Sequence, residues 1–239
     1  MDRYTRHQLK QDDFQEKIEA LQVVAEEHWK QIVMICAAVI IVAGAAWGIR
    51  TYYARQEAAA NTELLTAITT FHAYVGSSQE SSLMGAGESY PTASAKYQKA
   101  LAQFSEVVKN YPHTKAAGYA LVQMGVCQAQ LGNDATAIKT LQDASKDSDK
   151  EIASQAKFAL AGVLAKTGKI DEAGKILQAL ADHPTTMVPR ATALLAMADA
   201  YRATQPKRAR EIYQQVQKEF GSDAVVADAL KQQLATLPE

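Results

Sequence analysis

Apolar residues recur along much of the chain with the spacing of an amphipathic helix. Four alanines are separated by 37, 36 and 36 residues, namely Ala100, Ala137, Ala173 and Ala209. Each is followed by a large side chain at the fourth position and an apolar one at the seventh, which places all three on one helical face. The pattern predicts four equivalent helices in which alanine lets a neighbouring helix approach closely. The large residues are Phe104, Leu141, Leu177 and Tyr213, and the apolar residues at the seventh position are Val107, Ala144, Leu180 and Val216.

A second apolar helix precedes each of the last three of these helices, so the pattern predicts helix pairs. Gly132 and Gly168 separate the members of two pairs, and glycine suits the left-handed position that ends a helix. The third pair is divided at Pro206, and Pro112 and Pro184 lie between successive pairs. The preceding helices contain Leu121, Met124, Gly125 and Gln128, then Lys157, Leu160, Ala161 and Leu164, then Leu194, Met197, Ala198 and Tyr201.

The two ends of this region depart from the pattern. The first helix of the first pair is expected at residues 54–75, separated from its partner by a glycine- and serine-rich flexible loop that ends near Pro91. A last amphipathic helix is expected at residues 223–236, where it caps the open end of the stack.

The stretch from Gln31 to Ile49 contains no charged residue and lies between Lys30 and Arg50. Its 19 positions span about 28 Å as a helix, close to the thickness of a membrane's hydrocarbon core. The alternatives are a cleaved signal peptide and a buried core helix, and a lipoprotein anchored at Cys36 is disfavoured because bulky Ile35 precedes the cysteine. Residues 1–30 carry 5 basic and 7 acidic residues, unlike the short basic start of a signal peptide. We therefore predict an uncleaved transmembrane helix at 31–49.

The 30 residues before this helix form a tail that contains one helical pattern. Phe14, Ile18 and Leu21 share a helical face, which predicts a short amphipathic helix. Basic residues close to the two ends of the span are nearly balanced, but Arg3 and Arg6 add to the tail and favour a cytoplasmic N-terminus. The expected arrangement is a cytoplasmic tail at 1–30 and a repeat domain at 50–239 on the other side of the membrane.

The composition of the chain disfavours several classes of function. The net charge is −1 without a basic run, which disfavours nucleic-acid binding, and 48% hydrophobic residues disfavour global disorder. The Ala- and Leu-rich composition predicts an all-α fold, with one N-terminal transmembrane helix followed by a stack of helix pairs. Cys36 and Cys127 are too few for a disulfide framework, and Cys127 is interpreted as a small core side chain.

Motifs for catalysis and metal binding are missing from the sequence. The five histidines are scattered, and no metalloprotease, phosphate-binding-loop or nucleophile-elbow motif is present. Asp143, Asp147 and Asp149 are interspersed with lysines and lack the central glycine and the spacing of a calcium loop. We therefore expect no enzyme activity, no metal, no cofactor and no small-molecule substrate.

The helix pairs resemble the tetratricopeptide repeat, which implies a tetratricopeptide-like helical-hairpin solenoid after the transmembrane helix. Leu121, Lys157 and Leu194 replace the usual tryptophan, Gln128 replaces the usual tyrosine, and the period exceeds the 34 residues of that repeat. The small positions of the motif are held by Gly125, Ala137, Ala161, Ala173, Ala198 and Ala209, and the large ones by Met124, Leu160, Met197, Leu141, Leu177 and Tyr213.

The resemblance implies a concave wall formed by the first helix of each pair, which binds protein partners. Val122 and Val126 stand where chaperone-binding relatives carry a carboxylate clamp, which disfavours binding of an acidic C-terminal motif. Alternatively, the side chains of Phe158 and Val126 pack inside the stack and are not available to a partner. The predicted partner-binding groove consists of Tyr119, Val122, Val126, Gln130, Gln155, Phe158, Lys166, Thr192, Leu195 and Arg202.

The layout of tail, span and divergent repeat domain resembles the YfgM family, ancillary subunits of the SecYEG translocon. The resemblance implies a single-pass protein of the bacterial inner membrane with a periplasmic repeat domain. It implies as partners the translocon, a PpiD-like membrane chaperone and newly exported polypeptides. The expected function is a translocon-associated chaperone adaptor, and the alternative is a structural scaffold for cell-envelope assembly or division. An enzyme with an unrecognised site is the least favoured hypothesis.

Overall fold

The structure is a computed structural model, which describes residues 3–77, 79 and 87–222 together with 227, 230 and 233. The chain divides into two compact units, Met1–Arg55 and Gln56–Glu239. The described helices and strands are α1 (Arg3–His72), β1 (Tyr74–Val75), β2 (Ser89–Tyr90), α2 (Ala93–Asn110), α3 (Lys115–Gln130), α4 (Asp134–Ala144), α5 (Lys150–Lys166), α6 (Ile170–Asp182), α7 (Arg190–Tyr201) and α8 (Pro206–Phe220). The described part of the chain is therefore all-α apart from one short strand pair, as the sequence predicts.

The first unit is helical over its described length and carries the apolar stretch. Within the region Trp29–His72 of α1, an 18-residue window has a mean hydropathy of 2.6, and none of that window is buried. The side chains of Ile40 and Ile41 are each 70% exposed. By length and composition, this part of α1 could cross a membrane.

The second unit is built from helix pairs, α3 with α4, α5 with α6 and α7 with α8, and each helix from α2 to α8 contacts the next along the chain. The residues at the repeated sequence positions form the core. Ala100, Ala137, Ala173 and Ala209 are completely buried, and the large residue four positions after each is also buried. This burial confirms the repeat register, because a shift of one residue would turn the alanines toward solvent.

The core of this unit consists of two apolar clusters. In the first, Ala60, Leu64 and Ala67 of α1 pack with Phe104 and other residues of α2 and α3. The second cluster extends from Val122 through the later pairs and includes Leu230. The end of α1 thus supplies the first helix of the first pair.

The turns follow the sequence signals closely. Gly132 and Gly168 have φ values of 81° and 82°, the left-handed conformation predicted for the ends of α3 and α5. Pro206 opens α8, where its missing N–H costs nothing. The hydroxyl of Thr114 accepts a hydrogen bond from the backbone N–H of Ala117 and caps α3.

The predicted end of the first helix of the first pair is wrong, because the helix expected to reach Val75 ends at His72. Tyr74 and Val75 instead form a parallel two-residue pair with Ser89 and Tyr90. This pairing closes the base of the predicted loop and satisfies backbone groups that a free loop would leave to water.

The predicted capping helix at 223–236 lies largely outside the described residues. Within it, residues 227, 230 and 233 are helical, and the side chain of Leu230 is 2% exposed in the second cluster. The predicted amphipathic face of the tail, with Phe14, Ile18 and Leu21, also lies outside the side chains that are described.

Candidate partner-binding surface

The predicted groove residues lie on three first helices, α3, α5 and α7, except Arg202, which directly follows α7. Of these helices, α5 contacts both of the others. The structure therefore places them on neighbouring elements of one unit, at three different levels of exposure. Gln130, Lys166 and Thr192 are exposed, and Val122 is buried. The partly buried residues are Tyr119, Val126, Gln155, Phe158, Leu195 and Arg202.

Val122 presents no surface to a partner, so its assignment to the groove needs correction. Its side chain is 1% exposed and belongs to the same buried cluster as Ala156 and Leu160 of α5. The position lies in the interior of the stack, and a β-branched apolar side chain fills it without burying any polar side-chain atom.

Phe158 and Leu195 supply the apolar part of the wall. Both pack against the second cluster and both remain partly exposed. Thr192 lies one helical turn before Leu195 and is exposed, so a polar side chain lies beside Leu195 on α7. A partly exposed aromatic side chain held by a rigid core is well suited to anchor a partner, because it loses little conformational freedom on binding.

The two cationic residues of the predicted groove are engaged within the chain. The ammonium group of Lys166 donates to the carbonyl oxygen of Ala129, at 2.9 Å, and to a carboxylate oxygen of Asp134, at 2.8 Å. The guanidinium of Arg202 donates to the side-chain oxygen of Gln233, at 2.7 Å. These contacts reduce the charge that either residue can offer a partner.

Buried amide groups lie along the same helices. The side-chain oxygens of Gln128 and Gln155 are buried and have no hydrogen-bond partner in the described part of the chain. An unsatisfied buried acceptor costs roughly 1–3 kcal/mol. The first helices of the second and third pairs therefore hold polar groups whose hydrogen-bonding capacity is not used.

Two glutamates that no sequence pattern singles out connect successive pairs. The carboxylate of Glu57 on α1 accepts hydrogen bonds from the backbone N–H groups of Lys115, at 2.9 Å, and Ala116, at 3.1 Å. Glu151 on α5 does the same for Thr186 and Met187, at 3.2 and 2.8 Å. Each carboxylate thus holds the segment that begins the next pair, and the bond from Met187 is the main cause of the lowered pKa of Glu151.

The inter-pair segments also hold the acidic cluster noted in the sequence. The ammonium of Lys115 lies 2.7 Å from a carboxylate oxygen of Asp149, whose pKa is lowered chiefly by that contact. Asp149 also caps α5 through the backbone N–H of Glu151. Among the described residues, no group of three or more His, Cys, Asp or Glu side chains is placed to hold a metal ion.

Cys127 is completely buried in the first cluster, and burial raises the pKa of its thiol to about 12. Because the thiolate is the reactive form, we expect the thiol to react with Ellman's reagent at least a hundredfold more slowly in the folded chain than in guanidinium chloride, on the order of the loss of thiolate. The measurement uses the full chain in detergent micelles with Cys36→Ser, so that only Cys127 reports. Equal rates in the two conditions would contradict the burial.

Stacked helix pairs with small residues at their contacts and a partly apolar first-helix wall define a helical-repeat protein. Residues 26–238 match the model of the tetratricopeptide repeat-like domain family, and the chain belongs to that family. Repeats of this kind are typically protein-interaction modules without enzyme activity. No curated protein and no solved structure matches the chain.

Proposed function

We propose that the protein is a membrane-tethered interaction module that acts as a translocon-associated chaperone adaptor for newly exported proteins. Residues 31–49 form a single span of the bacterial inner membrane, residues 1–30 lie in the cytoplasm, and residues 50–239 form a periplasmic repeat domain. Its partners are the translocon, a PpiD-like membrane chaperone and exported polypeptides. The YfgM-like layout of the chain supports this assignment.

The observation that carries the proposal is the partly exposed pair Phe158 and Leu195, on adjacent first helices of an interaction repeat. An apolar helix on the same chain confines this wall to the membrane surface. Tethering raises the local concentration of the wall near membrane machinery, so modest contacts suffice for association.

The test replaces both wall residues by aspartate in the full chain. In Phe158→Asp/Leu195→Asp, two charges would enter the centre of the contact, and we expect copurification of the translocon and of the PpiD-like chaperone to fall at least tenfold, on the order expected from burial of an unpaired charge. The measurement is immunoblotting after affinity purification from detergent-solubilised membranes, with circular dichroism to verify helix content.

The matched control is Ile138→Asp/Ile176→Asp, which adds the same charges at partly buried apolar positions of the second helices α4 and α6. We expect this variant to retain its partners. Retention of all partners at normal stoichiometry by the Phe158→Asp/Leu195→Asp variant would show that the wall is not the working surface.

A further inference from the structure

The end of α1 carries the same repeat positions as the later first helices. Glu57 binds the segment that begins the next pair, as Glu151 of α5 does, and Lys115 of α3 pairs with Asp149 in the corresponding segment. Shifts of 58, 36 and 37 residues therefore place α1 on α3, α3 on α5 and α5 on α7. The same shifts superpose four buried small residues, Ala67, Gly125, Ala161 and Ala198. The first-helix wall thus consists of four helices and begins at α1.

Leu65 is a large apolar side chain on the α1 part of this wall. It is 67% exposed and stands at the position that Gln123 holds in α3. In α5 and α7 the equivalent residues are Ala159 and Ala196, which are both partly exposed. The surface that includes Phe158 therefore continues across α3 to an exposed leucine on α1.

Two positions of the wall, one helical turn apart, carry no charged residue on any of the four helices. The first position holds Asn61, Tyr119, Gln155 and Thr192. The second position holds Leu65, Gln123, Ala159 and Ala196. These eight residues form a band across the first helices, which we call the uncharged strip, and Phe158 and Leu195 adjoin it in sequence on α5 and α7.

Charged residues next to the strip are matched within the chain. Lys166 pairs with Asp134 at 2.8 Å, and Asp199 accepts a hydrogen bond from the hydroxyl of Tyr213. The second helices, in contrast, carry exposed charges of both signs, among them Lys139, Asp143, Glu172 and Lys175. The strip therefore differs from the second helices in that it offers a partner no charge.

An uncharged surface selects against charged partner segments. A charged side chain that docks on the strip loses its water and gains no opposite charge, which is costly. Neighbouring helices pack about 8–10 Å apart, so four first helices cover about 24–30 Å. An extended segment of about eight residues has this length, so the segment that fits is uncharged over about eight residues.

The polar groups of the strip suit an extended main chain. The amides of Asn61 and Gln123 and the hydroxyl of Thr192 each donate and accept hydrogen bonds. An extended segment leaves its backbone N–H and C=O groups free for such groups, whereas a helix uses most of its own. The strip is therefore better matched to an extended segment than to a helix.

Small residues on α5 and α7 leave room for that main chain. Ala159 and Ala196 have short side chains, and Gly162 follows Ala159 by one turn of α5. A Cβ atom built on Gly162 would meet no atom within 4 Å, so the space in front of it is open. The backbone of a partner is thus able to approach the helix closely here, with its apolar side chains beside Phe158 and Leu195.

We propose that the uncharged strip binds an extended, uncharged segment of a partner polypeptide through its main chain and its apolar side chains. This inference rests on the proposed function, because it names what the first-helix wall binds. Apolar segments of this kind are mostly buried in folded proteins. The strip therefore selects polypeptides that have not yet folded.

The test is a binding titration with the full chain in nanodiscs of phosphatidylcholine, a lipid without net charge, and empty nanodiscs are the blank. The probes are fluorescein-labelled, end-capped peptides of about nine residues. One repeats glycine, valine and asparagine, and in the other two glutamate or lysine replaces asparagine. We expect fluorescence anisotropy to show saturable binding of the neutral peptide and binding at least tenfold weaker for both charged peptides, on the order expected from an unpaired charge.

Three variants place one carboxylate in the strip, namely Gln123→Glu, Ala159→Glu and Leu65→Glu. Each should weaken binding of the neutral peptide about tenfold and strengthen binding of the lysine peptide, a gain that a misfolded variant would not show. Gln142→Glu makes the same change at an exposed position of the second helix α4 and is the matched control. It should leave all three affinities unchanged.

Equal binding of the neutral and charged peptides would overturn the proposal, as would failure of the neutral peptide to bind. Unchanged affinities in Gln123→Glu and Ala159→Glu would show that the peptide binds elsewhere. Unchanged affinities in Leu65→Glu would show that the strip does not extend to α1. The copurification test of Phe158→Asp/Leu195→Asp separates these failures from failure of the proposed function. If that variant loses its membrane partners while the parent does not bind the neutral peptide, the wall contacts a folded partner and only the peptide site is wrong.

Discussion

Replacement of Phe104 by alanine is expected to lower the free energy of unfolding of the repeat domain by about 3–5 kcal/mol, the usual cost of removing a buried phenylalanine. The ring is completely buried in the first cluster, and its centroid lies 6.4 Å from that of Phe71 on α1. The substitution therefore opens a cavity where the first and second helices of the first pair meet. The measurement is urea unfolding of the full chain in detergent micelles, followed by circular dichroism.

The same substitution at Phe158 is the matched control, because that ring is only partly buried. We expect Phe158→Ala to cost less than half as much as Phe104→Ala, since water already contacts part of the ring. A larger loss of stability at Phe158 than at Phe104 would contradict the burial of both residues and with it the repeat register.

The buried positions could be predicted because they depend on a local periodicity that the chain repeats. Ala137, Ala173 and Ala209 each lie on the apolar face of their own helix, whatever the angle between pairs, and all three are buried. The turns at Gly132 and Gly168 could be predicted for a similar reason, since glycine tolerates the left-handed conformation that ends a helix.

The strand pair could not be predicted, because two residues are too few to show the alternation of a strand. The pairing of Tyr74 with Ser89 joins residues on opposite sides of a loop, and nothing in the local pattern indicates it. The burial of Val122 depends on how α3 packs against its neighbouring helices, which is again a property of the fold and not of the helix itself.

The contacts between pairs are also long-range in sequence. Glu57 lies 59 residues before Ala116 and accepts a hydrogen bond from the backbone N–H of that residue.

The largest effect on the location of the protein is expected from charges at the centre of the apolar helix. In Ile40→Arg/Ile41→Arg, two arginines would lie near the middle of the bilayer, at a cost of about 2.5–3.5 kcal/mol each. We expect the variant to move from the membrane fraction to the soluble fraction, as measured by ultracentrifugation after alkaline carbonate extraction.

The matched control uses the same helix outside the proposed span. In Leu65→Arg/Thr66→Arg, the arginines replace residues that are also exposed, since Leu65 is 67% exposed against 70% for Ile40. If Ile40 and Ile41 face lipid, only the first variant leaves the membrane, because water solvates the arginines at 65 and 66 at little cost. Full retention of the Ile40→Arg/Ile41→Arg variant after carbonate extraction would show that this helix does not anchor the chain. Equal release of both variants would trace the effect to added charge on the helix and not to its burial in lipid.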